Sequence, residues 1–210
     1  MSKSIDLYFE LMKERPYLFK ESEIIKIEMN KKELEKYERE NNRSLGLLYR
    51  SKFNMLLVDL IKGGTGYYAY ERIVPTSVGS AIVILAKYDN KFVLLKQYRH
   101  AIRDYQYALV RGFGEDNTSG EDNAKKELKE EIGAEVLKSE FLGKVASDSG
   151  LTSGIVEIYY CEITEPKLRG EEGIKKIELY TKSELSEKIR NKEITDSFTL
   201  AALKLYEEKI

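Results

Sequence analysis

The sequence predicts an α+β protein with a mixed sheet, and three observations carry that prediction. From residue 78 onward apolar, strand-like runs follow one another. A glutamate-rich helix framed by glycines, residues 112–133, interrupts them. Helical patterns stand at both ends of the chain.

The elements follow in order. Residues 4–14 read as a helix, with Ile5, Tyr8, Phe9 and Met12 on one face and Pro16 ending it. A short strand is expected around residues 23–29, and residues 31–41 read as either a second helix or a solvated loop. Residues 45–49, 53–61 and 67–74 read as strands, with a glycine-rich hairpin turn at residues 63–66. Residues 80–88 and 91–98 are partner strands joined by an Asp89-Asn90 turn. Residues 105–110 form one strand running into the glycine loop. Strands at 140–147, 155–163 and 174–180 continue the sheet. Helices at 183–191 and 196–209 close the chain, with Asp196 or Ser197 as the cap of the last.

Composition narrows the function classes. A chain of 210 residues holds one sizeable domain, or a domain with an appendage. A formal net charge of -1 offers no bulk attraction to nucleic acid or an anionic membrane surface. No apolar run approaches the roughly 20 residues of a membrane span. The first residues, MSKSIDLYFELMKERP, lack the uninterrupted apolar core of a signal peptide. Cys161 is the only cysteine, which suits a reducing cytoplasm, and with one histidine the chain has no structural zinc set.

The chemistry is expected in the segment GFGEDNTSGEDNAKKELKEEIG. On a helix Glu127 and Glu131 stack one turn apart with Glu130 beside them. Crowded carboxylates repel, and a hard divalent cation such as Mg²⁺ or Mn²⁺ turns that repulsion into attraction. The alternative is a solvated face, with a favourable Lys126–Glu130 pair and an unfavourable Glu127–Glu131 pair of about 0.2–0.5 kcal/mol each. Gly112 and Gly114 opening the loop and Gly133 closing the helix favour the metal reading.

In this frame the segment resembles the Nudix box. Gly112 matches its first glycine, and Lys126-Glu127-Leu128 its Arg-Glu-apolar run. Glu130 and Glu131 match its acidic pair, and Gly133 its late glycine. Ala134 is a weak match to the apolar residue that follows. The box's earlier glutamate falls on Thr118 and its arginine on Lys126, so the ion pair that braces the loop is missing, with Glu115 or Glu121 as replacement acids.

The resemblance implies a Nudix-type α/β/α sandwich over residues 78–210. Residues 1–77 resemble the β-rich extension of the ADP-ribose pyrophosphatase-like branch, which implies a homodimer. The implied activity is metal-dependent cleavage of the pyrophosphate in a small-molecule nucleoside diphosphate sugar, with ADP-ribose the leading candidate. The alternative is a Nudix-like nucleotide-sugar sensor that does not cleave.

Implied metal ligands are Glu127, Glu131, Glu130 (or Glu130 orienting the water) and the Arg111 carbonyl. Implied general bases are Glu130 and the late acidic loop Glu171-Glu172, which also reads as an ordinary acidic turn. Arg99, at the end of a strand in KQYRHAIRD, is the implied phosphate ligand or else a surface salt bridge, with Tyr98 and Arg111 as further substrate contacts. His100 reads as structural rather than catalytic, and Arg103 is a weaker phosphate candidate. Tyr49, Tyr105 and Tyr107 offer either base stacking or core packing. Asp148, in a polar loop, either touches metal or ribose or forms a turn.

Overall fold

Ile5, Tyr8 and Leu11 recur at helical spacing and are all buried, so α1 (Lys3–Glu14) turns one face to a core. The computed structural model describes residues 3–64, 66–170 and 173–209. They fall into two units: Met1–Thr76 with Asp148–Gly154, and Ser77–Ser147 with Ile155–Ile210. No helix among the described residues is long and apolar enough to cross a membrane.

In the first unit α1 and a 3-10 turn at Pro16–Phe19 are followed by β1 (Lys26–Ile27) and α2 (Lys31–Asn41). Asn30 caps α2 by accepting from the Lys32 N–H, so the stretch left open between helix and loop is a helix. The strand expected at 23–29 survives only as the two residues of β1. Then come β2 (Gly46–Arg50), β3 (Asn54–Gly63) and β4 (Gly66–Pro75). β3 pairs antiparallel with β1, β2 and β4. Between the helices and this sheet lies a buried polar triad. Asp59 accepts from the Tyr8 hydroxyl, and from Arg72 through Nε at 2.5 Å and Nη2 at 3.2 Å. Such a charge is tolerated inside only because it is paired. The segment 148–154 joins β4: Ile73 N–H donates to the Leu151 carbonyl at 2.9 Å, and Ser153 N–H to the Ile73 carbonyl at 3.0 Å.

The second unit is built on β5 (Ala81–Tyr88). Ile82, Ile84 and Ala86 belong to one core and Val83 and Leu85 to another, as strand alternation requires. β6 (Lys91–Arg99), β7 (Asp104–Ala108), β8 (Val110–Gly112), β9 (Val136–Ala146), β10 (Ile155–Ile163) and β11 (Ile174–Tyr180) complete a seven-stranded sheet. Its order is β11-β6-β5-β10-β9, with β7 on β6 and β8 on β5. β5 and β10 run parallel, and the other pairings are antiparallel. Ala124, Leu128 and Ile132 of α3 (Gly120–Ile132) pack on the Ile82 side. Leu185 of α4 (Lys182–Arg190) and Ala202 of α5 (Ser197–Glu207) pack on the Val83 side. This is the α/β/α sandwich that the resemblance implies.

Two expectations need correction. β5 and β6 are not a full hairpin, because they pair only at Lys87–Phe92 and Tyr88–Lys91 beside the Asp89-Asn90 turn. Beyond it the two strands part, and the strand expected at 105–110 splits accordingly. β7 lies on β6, and after Leu109 the chain crosses so that β8 lies on β5. That crossing delivers Gly112 to the glycine loop alongside α3.

Candidate active site

Local sequence shapes the helix that carries the carboxylates. The Ser119 side chain accepts from the Asp122 N–H at the start of α3, and Gly133 ends it in the left-handed region at φ 61°. Ala124, Leu128 and Ile132 form the buried stripe. Asn123, Glu127 and Glu131 form the neighbouring stripe, one residue back along the chain. Asn123 is buried, Glu127 and Glu131 are half-buried, and Glu130 is exposed. A Cβ on Gly112 would collide with the Glu127 carboxylate, so glycine is what lets β8 pass this close. The carboxylate therefore rests against Gly112.

The loop is braced despite Thr118 and Lys126. Lys126 pairs with Glu115, but both are exposed, and such pairs contribute little. Glu121 is engaged elsewhere, with Ser139 and Lys125. Firmer ties come from residues that, Gly114 apart, the sequence did not single out. Asn123 Nδ2 donates to the Phe113 carbonyl at 2.8 Å from a buried position. Val78 N–H donates to Asp116 Oδ1 at 2.8 Å. Gly79 and Gly114 let two backbone segments touch, since a Cβ on either would strike the other segment. Gly–Gly contacts of this kind leave no local trace beyond the glycines themselves.

The positive charge sits at the strand ends. Arg99, the last residue of β6, is half-buried, and its Nε and Nη2 are buried without a hydrogen bond among the described residues. Burial, and after it the Arg111 charge, push its guanidinium below the usual value, while Asp196 and Glu131 act in the opposite sense. So Arg111, Asp196 and the box residue Glu131 each lie within electrostatic reach of Arg99. Arg111 gives its Nη2 to Asp196 Oδ1 at 2.7 Å and lies over the Phe198 ring at 5.4 Å. Asp196 also caps α5, Oδ2 accepting from Thr199 N at 3.0 Å and Oγ1 at 2.8 Å. Of the two caps the sequence left open, Asp196 is the one used.

The other candidates are placed as follows. Tyr98 is half-buried, meets Tyr105 edge-on at 5.4 Å and takes the Gly173 carbonyl on its N–H at 2.8 Å. Tyr107 is packed against Tyr180, with Lys96 and Lys188 over its ring, which is a packing role. Tyr49 belongs to the other unit. His100 is exposed and contacts Arg103 at 3.0 Å. Asp148 accepts from the Gly150 N–H at 3.0 Å, and its carbonyl accepts from the Leu151 and Thr152 N–H groups, so it forms a turn. Glu171 and Glu172 lie outside the described residues.

Among the described residues no three His, Cys, Asp or Glu side chains are gathered as a preformed metal cage. The donor chemistry still suits a hard cation. Glu127 and Glu131 share one half-buried stripe, and the Gly112 close approach seats the Glu127 carboxylate against β8. Mg²⁺ retains several waters and needs few protein oxygens, so an open carboxylate pair is an adequate platform.

Comparison with known proteins agrees at the level of fold. A crystal structure of an ADP compounds hydrolase superposes with a TM-score of 0.67 at 20% identity, covering 79% of this chain and 95% of that one. The two proteins share this fold. No protein-family profile matches the chain. The methanol dehydrogenase activator of Bacillus methanolicus is 28% identical over 161 residues, 74% of this chain and 86% of that protein. That shared fold includes the sandwich, and in this chain the glutamate-rich segment lies at the junction of β8 and α3.

Proposed function

We propose that the protein is a Mg²⁺- or Mn²⁺-dependent hydrolase of nucleoside diphosphate sugars, with ADP-ribose the leading substrate. The observation that carries this is Arg99. A half-buried guanidinium whose Nε and Nη2 find no hydrogen bond among the described residues, within electrostatic reach of the box glutamate Glu131, is prepared for an anion. The ADP compounds hydrolase of like fold supports a diphosphate as that anion.

In this reading Glu127, Glu131 and the Arg111 carbonyl hold the cation, and Glu130 is a further ligand or orients the attacking water. The bound cation supplies charge neutralisation and a water of lowered pKa. Arg99 takes the phosphate oxygens, and Tyr98 borders them. Water oxygen bonds to phosphorus as the anhydride P–O bond breaks, giving a nucleoside monophosphate and a sugar phosphate. The water proton goes to a carboxylate, Glu130 or one of Glu171 and Glu172. Residues 1–77 serve as a dimerisation and substrate-binding extension, and the lone buried Cys161 suits a reducing cytoplasm.

A second reading is a Nudix-like sensor or activator that binds a nucleotide-sugar without turning it over. The likeness to a protein named as an enzyme activator favours it. A panel of nucleoside diphosphate sugars with Mg²⁺ or Mn²⁺ and a phosphatase-coupled phosphate readout separates the two. Turnover of ADP-ribose that disappears in Glu131→Gln, with the melting profile unchanged, supports the hydrolase. Tight binding of a panel member with no turnover at all supports the sensor.

A further inference from the structure

Two guanidinium groups stand at the candidate site, yet they are treated differently. Arg111 is committed through one nitrogen: Asp196 Oδ1 holds its Nη2 at 2.7 Å and the Phe198 ring lies against it, while its Nε is buried without a hydrogen bond among the described residues. Its side chain keeps 24% of its exposure and that of Asp196 only 7%, so the pair is largely screened from solvent. Arg99 has no such commitment, with Nε and Nη2 buried and not hydrogen-bonded among the described residues. Both carboxylate oxygens of Asp196 are used, Oδ1 by Arg111 and Oδ2 by the first turn of α5.

We infer that Asp196 is a positioning residue that neutralises and holds Arg111, so that Arg99 alone meets the substrate's diphosphate. The inference rests on the reading of this site as a diphosphate binder. Without the Asp196 charge the site would carry two cations beside a bound diphosphate. Binding would tighten, and release of the anionic products would slow. The Arg111 side chain would also be free to swing away from Asp196, although its backbone stays paired with Val83 of β5. Asp196 thus sets the charge of the site.

Asparagine separates these duties from capping, because Asn is as good an N-cap as Asp. The test is calorimetric titration of ADP into metal-free protein at low and moderate salt. Wild type, Asp196→Asn, Arg111→Gln, Arg99→Gln and the Asp196→Asn/Arg111→Gln double variant are compared. The expected result is a roughly three- to tenfold tighter affinity in Asp196→Asn, with steeper salt dependence, as for one unit of charge removed nearby. The double variant returns to near the wild-type affinity, and Arg99→Gln loses at least tenfold. Circular dichroism and melting establish that Asp196→Asn is folded, and Asp196→Ser provides a second charge-free cap for the same comparison.

A merely structural Asp196 predicts unchanged or weaker ADP binding in both charge-free caps, and that result overturns the inference. So does a loss in Arg111→Gln as large as that in Arg99→Gln, because Arg111 would then touch the anion itself. If wild type binds ADP while Asp196→Asn shows no gain, the inference falls and the diphosphate reading stands. If wild type binds no ADP, both fall.

Discussion

Asn123 shows how much one buried amide contributes to the loop. It sits on α3 a turn before Glu127, and its Nδ2 reaches back to the Phe113 carbonyl. Asn123→Ala would leave that carbonyl without its partner and open space under the loop. The expected cost is about 1–3 kcal/mol, measurable as a lower melting temperature, with faster exchange at the amides of residues 113–118. Unchanged exchange there would mean that the loop is held by Val78 and Gly79 alone. Cys161 is a buried group of another kind, a free thiol packed in the core. Burial, and secondarily the Glu121 charge, push its thiol up to about 12. Its burial therefore contributes stability below the unfolded pKa of about 8.5, and that contribution is lost as pH rises towards 12. At pH 8 a thiol reagent should label it only at the rate of global unfolding. Labelling within seconds in native buffer would contradict this.

The helix and its glycine frame were legible because their logic is local. Carboxylates three and four residues apart share a face in any α-helix, and a glycine at φ 61° ends α3 where the pattern stops. What lies between elements was not legible. The split of β7 from β8 at Leu109 depends on β5 and β6 parting, and no window around Leu109 records that. The Arg111–Asp196 pair joins residues 85 positions apart. Thr118 and Lys126 looked like a broken brace, because the replacement ties run through Asn123, Asp116 and two glycine backbones rather than through an ion pair. Gly112→Ala tests how β8 and α3 meet. The new Cβ would strike the Glu127 carboxylate, the far end of a flexible side chain, so the helix can stay while the carboxylate swings away. The expected outcome is a folded protein whose Mg²⁺ or Mn²⁺ affinity, followed by calorimetry, falls by about tenfold or more, the scale of losing ligand orientation. Wild-type metal affinity in folded Gly112→Ala would remove Glu127 from the ligand set.

At the scale of the whole molecule, stability is divided as the cores are. One cluster draws only on the first unit, with Ile5, Tyr8, Leu34, Leu57 and Leu60 among its members. The clusters on the two faces of the seven-stranded sheet draw only on the second. The Tyr8–Asp59–Arg72 triad is the point where the first core is most sensitive. Burial, and then the Asp59 charge, drive the Tyr8 pKa far upward, so the hydroxyl remains a donor to Asp59 at any ordinary pH. Asp59→Ala would strand the Arg72 guanidinium, whose side chain is only 13% exposed, without its counter-ion, a loss of about 3–5 kcal/mol for such a pair. Separate cores make the consequence local. Amides of β3 and β4 should exchange much faster in Asp59→Ala, while those of α3, β5 and β10 keep wild-type protection and metal binding at the box persists. Equal acceleration in α3 would show that the two cores unfold as one. The box would then depend on the first unit for its stability as well as on its own strands.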